Sequence, residues 1–575
     1  MNGRVYSNWL APWRHDINLS PSSWAGDFSA GLVVTLMLIP QSLAYAILAG
    51  LPAHLGLYAS VLPLIGYAVF GRSPALAVGP VAIASVMTFN ALQSFASPAS
   101  PEWIAGAIFL ALASGAMLFL AGLLRLGFLA ALLSHPVMSG FISGASVVII
   151  LGQLQTLLGV RLQGDSVATQ VSSLFQSFSG VHLPTLGVGL VSAALLLLAR
   201  RYASSSFARF GLRGLLHELL TKASPLLIIG LMALSLWFFD LSDQVATVGA
   251  VPSGLPGLSF ALPDASGVTA LLSSALLIAL VGFVESVSMA RTIGRRCGVV
   301  TDPNAELRGL GAANLLSGAS GAFPVTGGLS RSVVNLEAGA RTPMAGVISA
   351  AFMIIVLLGL ADMLSVIPLA SLAALIVVSV ASLFDGRVFL DALRFDRADA
   401  LGWLATFTGV LVLGVEQGIA IGVMLSVANV LWRQSRPHMA VIGRLAGTEH
   451  FRNVQRHQVE TLTNVVFVRV DANLFFGNWD YIADFLEGRA RRLTSGGVLV
   501  LNLSSVSDID TTAIEGLEAL SVKLKSQGAR LVFAELKGPV ADKLLRSHFF
   551  NESVVYLSCH EAFEALRQRN GQGLA

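Results

Sequence analysis

Long apolar runs follow one another along most of the chain, separated by short polar stretches. Many approach the roughly 20 residues that a helix needs to cross a bilayer, so the pattern predicts an α-helical polytopic membrane protein. A polar stretch rich in proline and glycine, residues 240–267, divides the runs into two sets of seven. The fourteen predicted segments are residues 28–48, 55–70, 76–92, 104–124, 137–158, 183–198, 225–239, 268–290, 307–323, 327–339, 344–360, 364–383, 400–414 and 417–431.

The composition agrees with a membrane protein: 54% of the residues are hydrophobic and 12% are charged, against roughly 25% charged in soluble domains. Residues 1–27, which contain three tryptophans, are predicted to lie at the membrane interface. A disordered tail is the alternative. Asp16 and Asp27 argue against a cleavable signal peptide.

The basic residues predict how the segments are oriented. If the N-terminus is cytoplasmic and every segment crosses, the inward loops hold fifteen Lys or Arg residues and the outward loops hold only Arg161. This asymmetry is the positive-inside pattern. It predicts a multi-pass protein of a bacterial inner membrane with both termini in the cytoplasm.

Two sets of seven segments run in opposite orientations, which predicts an inverted repeat formed by residues 28–240 and 268–432. The third segment of each set is interrupted. Val78-Gly79-Pro80 begins one, and Pro324-Val325-Thr326-Gly327-Gly328 begins the other. Paired broken helices at corresponding positions predict a binding site near the middle of the membrane.

Two half-helices that begin near the midplane expose unpaired N–H groups and partial positive charges, which favour an anion. Ser330 and Ser332 supply hydroxyl donors beside the second half-helix, and Arg331 supplies a full charge. A buried arginine is costly in a membrane and is therefore expected to be functional. The alternative is an arginine whose side chain extends to the interface.

Glu285 is the carboxylate that lies deepest in an apolar run. Burial favours the neutral acid, so Glu285 is a candidate carrier of one proton per transport cycle. A simple ion pair with Arg331 is the alternative.

The chain lacks the sequence motifs of several classes of protein. The chain has no G-x-x-x-x-G-K-[ST], H-E-x-x-H or G-x-S-x-G sequence, and its histidines show no metal-ligand spacing. We therefore expect no enzyme activity, ATP drive, metal site, organic cofactor or nucleic-acid partner, and we expect secondary or passive transport with protons as the coupling ion.

The first segment carries a resemblance to a known family. Pro40-Gln41-Ser42-Leu43-Ala44-Tyr45-Ala46, with Val78-Gly79-Pro80 and Gly328-Leu329-Ser330-Arg331-Ser332, resembles motifs of the SulP anion transporters, the sulfate permeases. The resemblance implies core and gate domains, an elevator-like cycle and a homodimer. It also implies a site formed by the first, third, eighth and tenth segments. The residues it assigns to substrate binding are Gln41, Tyr45, Pro80, Val81, Glu285, Leu329, Ser330 and Arg331.

The apolar runs shorten after the last segment, and strand and helix patterns alternate. We assign residues 433–463 to a linker and the start of a tail, and residues 464–570 to a small α/β domain. This domain resembles the STAS domain, and its Ser507–Ala513 stretch resembles the loop that is phosphorylated in anti-sigma-factor antagonists, with Thr511 at the acceptor position. Helix capping by Asp510 and Thr511 is the favoured interpretation, because family membership does not require phosphorylation.

The resemblance and the glutamate in the eighth segment together favour proton-coupled sulfate symport. Sodium-coupled bicarbonate transport and dicarboxylate transport remain alternatives, and a nucleobase carrier fits Ser330 and Arg331 less well. An alternative of another class is an anion receptor that signals to a cytoplasmic protein partner through the STAS domain.

Overall fold

The computed structural model describes residues 10–15, 21–131, 134–160, 167–177, 180–209, 214–547, 550 and 553–572. The chain divides into two compact units, residues 1–426 and 427–575. Residues 1–9 and 16–20 of the N-terminal segment lie outside the described residues. So do Arg161 and Arg213, two of the basic residues used to predict the orientation.

The first half of the membrane unit is almost entirely helical. Its helices are α1 (Pro21–Leu48), α2 (His54–Tyr58), α3 (Leu62–Phe70), α4 (Ala82–Gln93), α5 (Pro101–Leu123), α6 (His135–Leu158), α7 (Val167–Gln176), α8 (Leu183–Arg209) and α9 (Gly214–Phe238). A two-residue strand, β1 (Val78–Gly79), precedes α4.

The second half has the same character. Its helices are α10 (Ala265–Cys297), α11 (Pro303–Ala319), α12 (Leu329–Glu337), α13 (Met344–Gly359), α14 (Ala361–Ser365), α15 (Leu369–Val380), α16 (Gly386–Phe395), α17 (Arg397–Leu413) and α18 (Val415–Ser435). A second short strand, β2 (Thr326–Gly327), precedes α12.

Each of the fourteen predicted segments overlaps a helix, with three kinds of difference. The second segment is broken into α2 and α3, with Pro63 in the first turn of α3. The helices α8 and α9 extend well into the predicted inward loop. The short helices α7 and α16 were not predicted. Within the described residues, eight helices are long and apolar enough to cross a membrane.

The membrane helices pack in two groups, which meet where α1 packs on α9 and α15. In the first group, α5 packs on α10 and α11, α11 also packs on α3, and α1 packs on α13. We call α1, α3–α5 and α10–α13 the core group. In the other, α6 packs on α15 and α17, and α8 on α9 and α15; we call α6, α8, α9, α15 and α17 the gate group. Small residues allow close packing in the core group, since a Cβ added at Gly115 would lie 2.6 Å from the amide nitrogen of Leu315.

The second unit is built on a six-stranded sheet. Its strands are β3 (Met439–Arg444), β4 (Phe451–Asn453), β5 (Val465–Val470), β6 (Val498–Asn502), β7 (Arg530–Ala534) and β8 (Val554–Tyr556). The order is β4-β3-β5-β6-β7-β8, with β3 antiparallel to its neighbours and the other pairs parallel. β3 and β4 lie within residues 433–463.

Helices cover both faces of this sheet. They are α19 (Trp479–Ala490), α20 (Thr511–Ser526), α21 (Gly538–Leu544) and α22 (Cys559–Gln572). One apolar cluster joins the sheet to α19, α20 and α21, and another joins it to α22. β6 is buried along its whole length, as expected for a central parallel strand covered on both faces.

The two cysteines should differ sharply in reactivity. Cys559 is buried, its Sγ accepts a hydrogen bond from Nδ2 of Asn502 at 2.9 Å, and burial raises the pKa of its thiol to about 12. Cys297 is partly exposed. Maleimide labelling of the native protein near pH 7.5 should modify Cys297 and spare Cys559, because the thiolate is the reactive form. Labelling of Cys559 before unfolding, detected by peptide mass spectrometry, would contradict this packing.

Candidate anion site

Two half-helices begin side by side in the membrane unit. Strand β1 pairs antiparallel with β2, with Val78 opposite Gly327 and Gly79 opposite Thr326. The half-helices α4 and α12 start within a few residues of this pair, and neither N-cap residue, Val81 or Gly328, caps its helix with a side chain. The first amides of both helices therefore point their N–H groups and partial positive charge toward one region.

Arg331 places a full positive charge at this junction. It lies in the first turn of α12, is only 2% exposed, and donates from Nη1 to the carbonyl oxygen of Pro80 at 2.7 Å. The side chain is enclosed by the protein, whereas the alternative interpretation required it to extend outward to the membrane interface. A Cβ at Gly328 would lie 2.9 Å from Nη2 of Arg331, so a side chain there would displace the guanidinium from this position.

Two donor atoms of Arg331 have no partner among the residues that the structure describes. Within the described part of the chain, Nε and Nη2 are buried and have no hydrogen-bond partner. Unsatisfied buried donors on a charged group are costly, and they are typical of sites that bind an opposite charge.

A cavity of about 500 Å³ lies in front of the half-helices. Seven of the eight residues assigned to substrate binding line it: Gln41, Tyr45, Val81, Glu285, Leu329, Ser330 and Arg331. Pro80, the eighth, contacts Arg331 through its carbonyl oxygen. Ser330 and Leu329 are exposed to the cavity, whereas Tyr45 and Val81 are largely buried in its wall.

Glu285 lies on α10 and faces the same cavity. Its Oε2 is buried and has no hydrogen-bond partner among the described residues, and Arg331 is near enough to interact with it electrostatically. The next residue, Ser286, holds β2 in place: its Oγ accepts from the Gly327 amide at 2.9 Å and pairs with Oγ1 of Thr326 at 2.7 Å. Glu285 is thus fixed relative to the half-helix starts.

Ser332 does not have the role that the sequence suggested. Its side chain is fully buried and does not line the cavity. Its Oγ donates to the Gly328 carbonyl at 2.7 Å and accepts from the Ala77 amide at 2.9 Å. The hydroxyl therefore joins α12 to the segment that leads into β1, instead of donating to a substrate.

The gate group contributes polar lining residues that the sequence analysis missed. They are Arg200, Ser204, Thr221 and Lys222, on α8 and α9. Lys222 pairs with Glu337, at the end of α12, at 3.3 Å. The apolar pattern assigned these positions to a loop, and the signal that could have found Arg200 and Lys222 is their positive charge.

Of the two candidate regulatory residues in the second unit, Asp510 caps helix α20. Oδ1 of Asp510 accepts from the Ala513 amide at 2.9 Å, and its Oδ2 accepts from the Phe476 amide at 2.8 Å. Thr511 is exposed at the first position of α20. Lys543 donates to Asp508 at 2.6 Å in the preceding loop.

Comparison with known families explains this architecture. A sequence model described as the sulfate permease family matches residues 24–406, and one described as the STAS domain matches residues 456–562. The chain belongs to the sulfate permease family. This confirms the resemblance drawn from the motifs, and it identifies the chain as a polytopic membrane transporter of anions with a STAS domain, and not an enzyme.

Two curated relatives extend along nearly the whole chain. "Sulfate transporter 4.1, chloroplastic" of Arabidopsis thaliana is 34% identical, over 94% of this chain and 80% of the relative. A probable sulfate transporter of Mycobacterium tuberculosis is 33% identical, over 95% of both chains.

A solved structure shows the same fold. The murine Solute Carrier 26 family member A9 anion transporter, in the inward-facing state, superposes with a TM-score of 0.85 at 21% identity, covering 99% of this chain and 96% of that one. At this identity the similarity concerns the fold alone.

Proposed function

We propose that this member of the sulfate permease family takes up sulfate together with protons across the bacterial inner membrane. The observation that carries the proposal is the pair of uncapped half-helix starts beside the buried Arg331, facing a cavity of about 500 Å³. Backbone amides and a guanidinium suit a small oxyanion, which can accept several hydrogen bonds at once. Both curated relatives are named as sulfate transporters or probable ones, which favours sulfate.

We propose an elevator-like cycle in which the core group moves against the gate group within a 7+7 inverted repeat. The cavity supports this, because residues of the core group, such as Ser330, line one wall and residues of the gate group, such as Leu196 and Leu375, line the other. The Lys222–Glu337 ion pair joins α9 to α12 across the same boundary. Movement of α4 and α12 together would carry the anion with its donors.

The proposed coupling ion is the proton, carried by Glu285. The carboxyl group lies beside Arg331 and faces the cavity. When an anion occupies the site, its negative charge should favour the neutral form of Glu285. Binding of the anion and of the proton would then be linked.

The distribution of basic residues supports cytoplasmic termini. We further propose a homodimer, and a cytoplasmic protein partner for the STAS domain, as the family resemblance implies.

Sulfate uptake into proteoliposomes tests the proposal. Radiolabelled sulfate should enter several times faster when the outside is more acidic than the lumen, and unlabelled sulfate should compete better than bicarbonate or a dicarboxylate. Preferential competition by bicarbonate with a sodium requirement, or by a dicarboxylate, would assign the site to that anion instead. Binding without flux would indicate a receptor.

A further inference from the structure

Glu306 is a buried carboxylate that the proposed transport cycle does not use. It lies in the first turn of α11 and has no exposed surface. Its Oε2 accepts a hydrogen bond from the Tyr67 hydroxyl at 2.6 Å, and its Oε1 accepts from the Ser73 amide at 2.9 Å. The Arg72 amide also donates to it. The carboxylate therefore fastens the end of α3 and the chain that follows it to α11.

The chain held by Glu306 leads directly to the first half-helix. Residues 71–77 connect α3 to β1. Further hydrogen bonds hold this segment at Ala75 and Ala77. Asn335 donates from Nδ2 to the Ala75 carbonyl at 3.0 Å. Ser332 accepts from the Ala77 amide, and the Gly328 amide donates to the Ala77 carbonyl at 3.0 Å. Beyond Ala77 the pairing of β1 with β2 continues the same line of contacts.

Glu306 also lies on the element that leads to the second half-helix. α11 ends at Ala319 and continues through residues 320–325 into β2. Asn314 holds this connection with both ends of its amide, accepting from the Val325 amide at 2.8 Å and donating to the Val325 carbonyl at 2.8 Å. One carboxylate thus joins the chain segments that precede both half-helices.

We propose that Glu306 is a positioning residue for the anion site. By fixing residues 72 and 73 to α11, it sets where β1 lies against β2, and so where the amides of α4 lie relative to Arg331. A carboxyl group suits this task because its two oxygens can accept the hydrogen bonds from Tyr67 and from the chain at residues 72 and 73. The inference rests on the proposed anion site but assigns no substrate contact to Glu306.

Glu306→Gln tests this role with little change in volume. The amide retains one acceptor oxygen and replaces the other with a donor, so one anchor is lost or weakened. We expect the KM for sulfate to rise about three- to tenfold, because a shift of the α4 amides should cost the anion about one hydrogen bond, with a similar Vmax per folded molecule. The rise in unfolding temperature caused by sulfate should shrink in parallel, and amide hydrogen exchange of residues 71–79 should become faster. Tyr67→Phe removes the hydroxyl that donates to Glu306 and should have a smaller effect in the same direction. It replaces Glu306→Gln in the experiment if that variant does not fold.

Asp27→Asn is the matched control. Asp27 is also a buried carboxylate with three donors, the amides of Arg341 and Thr342 and the Thr342 hydroxyl at 2.7, 2.9 and 2.6 Å, but it joins α1 to the chain before α13. Its partners lie in the chain between α12 and α13, outside residues 71–79, so Asp27→Asn should lower the unfolding temperature without changing the exchange of residues 71–79. If Glu306→Gln behaves in the same way, Glu306 has only a structural role and the proposal is wrong.

The exchange measurement separates this proposal from the proposed function. If the wild-type protein neither binds nor transports sulfate, the proposed function fails. Faster exchange of residues 71–79 in Glu306→Gln, but not in Asp27→Asn, would still support the anchoring role. Unchanged exchange would overturn it.

Discussion

Replacing Arg331 with alanine should weaken sulfate binding at least about tenfold, since a hydrogen bond to a charged group contributes about 1.5–3 kcal/mol. The guanidinium is buried where α4 and α12 begin, and it is held by the Pro80 carbonyl. Its removal leaves the helix ends and Ser330 as the donors where the two half-helices begin. The measurement is the unfolding temperature of purified protein at increasing sulfate concentrations. A ligand that binds only the folded state stabilises it, so the temperature rises as sulfate binds.

Two further variants define the cause of that loss. Arg331→Lys keeps the charge but loses the planar set of donors, so it should fall between the wild type and Arg331→Ala. Arg387→Ala removes an exposed charge from α16, which does not line the cavity, and should bind sulfate as the wild type does. If Arg331→Ala retains the wild-type affinity, the backbone amides alone form the site.

The meeting of the two half-helices could be predicted from sequence because its signals are local. Gly79-Pro80 and Gly327-Gly328 interrupt apolar runs at corresponding places, and glycine and proline both disfavour a continuous helix. The site residues on α1, α4, α10 and α12 followed from these breaks together with family motifs. The structure places seven of them around one cavity.

The buried acids could not be predicted in the same way. The sequence analysis took Glu285 as the most deeply placed carboxylate, but Glu306 and Asp27 are less exposed than Glu285. Glu306 lies in a polar stretch that is typical of a loop or helix start, and its partner Tyr67 is 239 positions away in the chain. Only tertiary structure brings such donors to a carboxylate.

The gate side of the cavity was missed for a related reason. Apolar patterns detect the part of a helix that contacts lipid, so the polar ends of α8 and α9 were interpreted as a loop. The amphipathic helix α16 has no long apolar run and was missed as well. In the second unit, β4 has only three residues, and β3 begins a few residues after the last membrane helix, so both were assigned to the linker.

Replacing Glu285 with glutamine should abolish the effect of a pH gradient on sulfate uptake. Glutamine has nearly the same shape as the neutral acid but cannot exchange a proton, so a carrier that needs Glu285 to move protons would lose its coupling. Uptake driven by a sulfate gradient and sulfate–sulfate exchange should persist, because Ser330, Arg331 and the half-helix ends remain. The measurement is the ratio of initial uptake rates with and without an acidic exterior, which should fall from several-fold in the wild type to about one.

Glu102→Gln is a suitable control for this experiment, since Glu102 is an exposed carboxylate in the first turn of α5 and does not line the cavity. It should retain the full response to the gradient. A response that persists in Glu285→Gln would mean that the proton enters elsewhere or accompanies sulfate in solution. Glu285 would then serve only to balance the charge of Arg331 when no anion is bound. Loss of exchange together with the pH response would instead show that Glu285 is needed for binding itself, because proton coupling alone does not affect a sulfate–sulfate exchange.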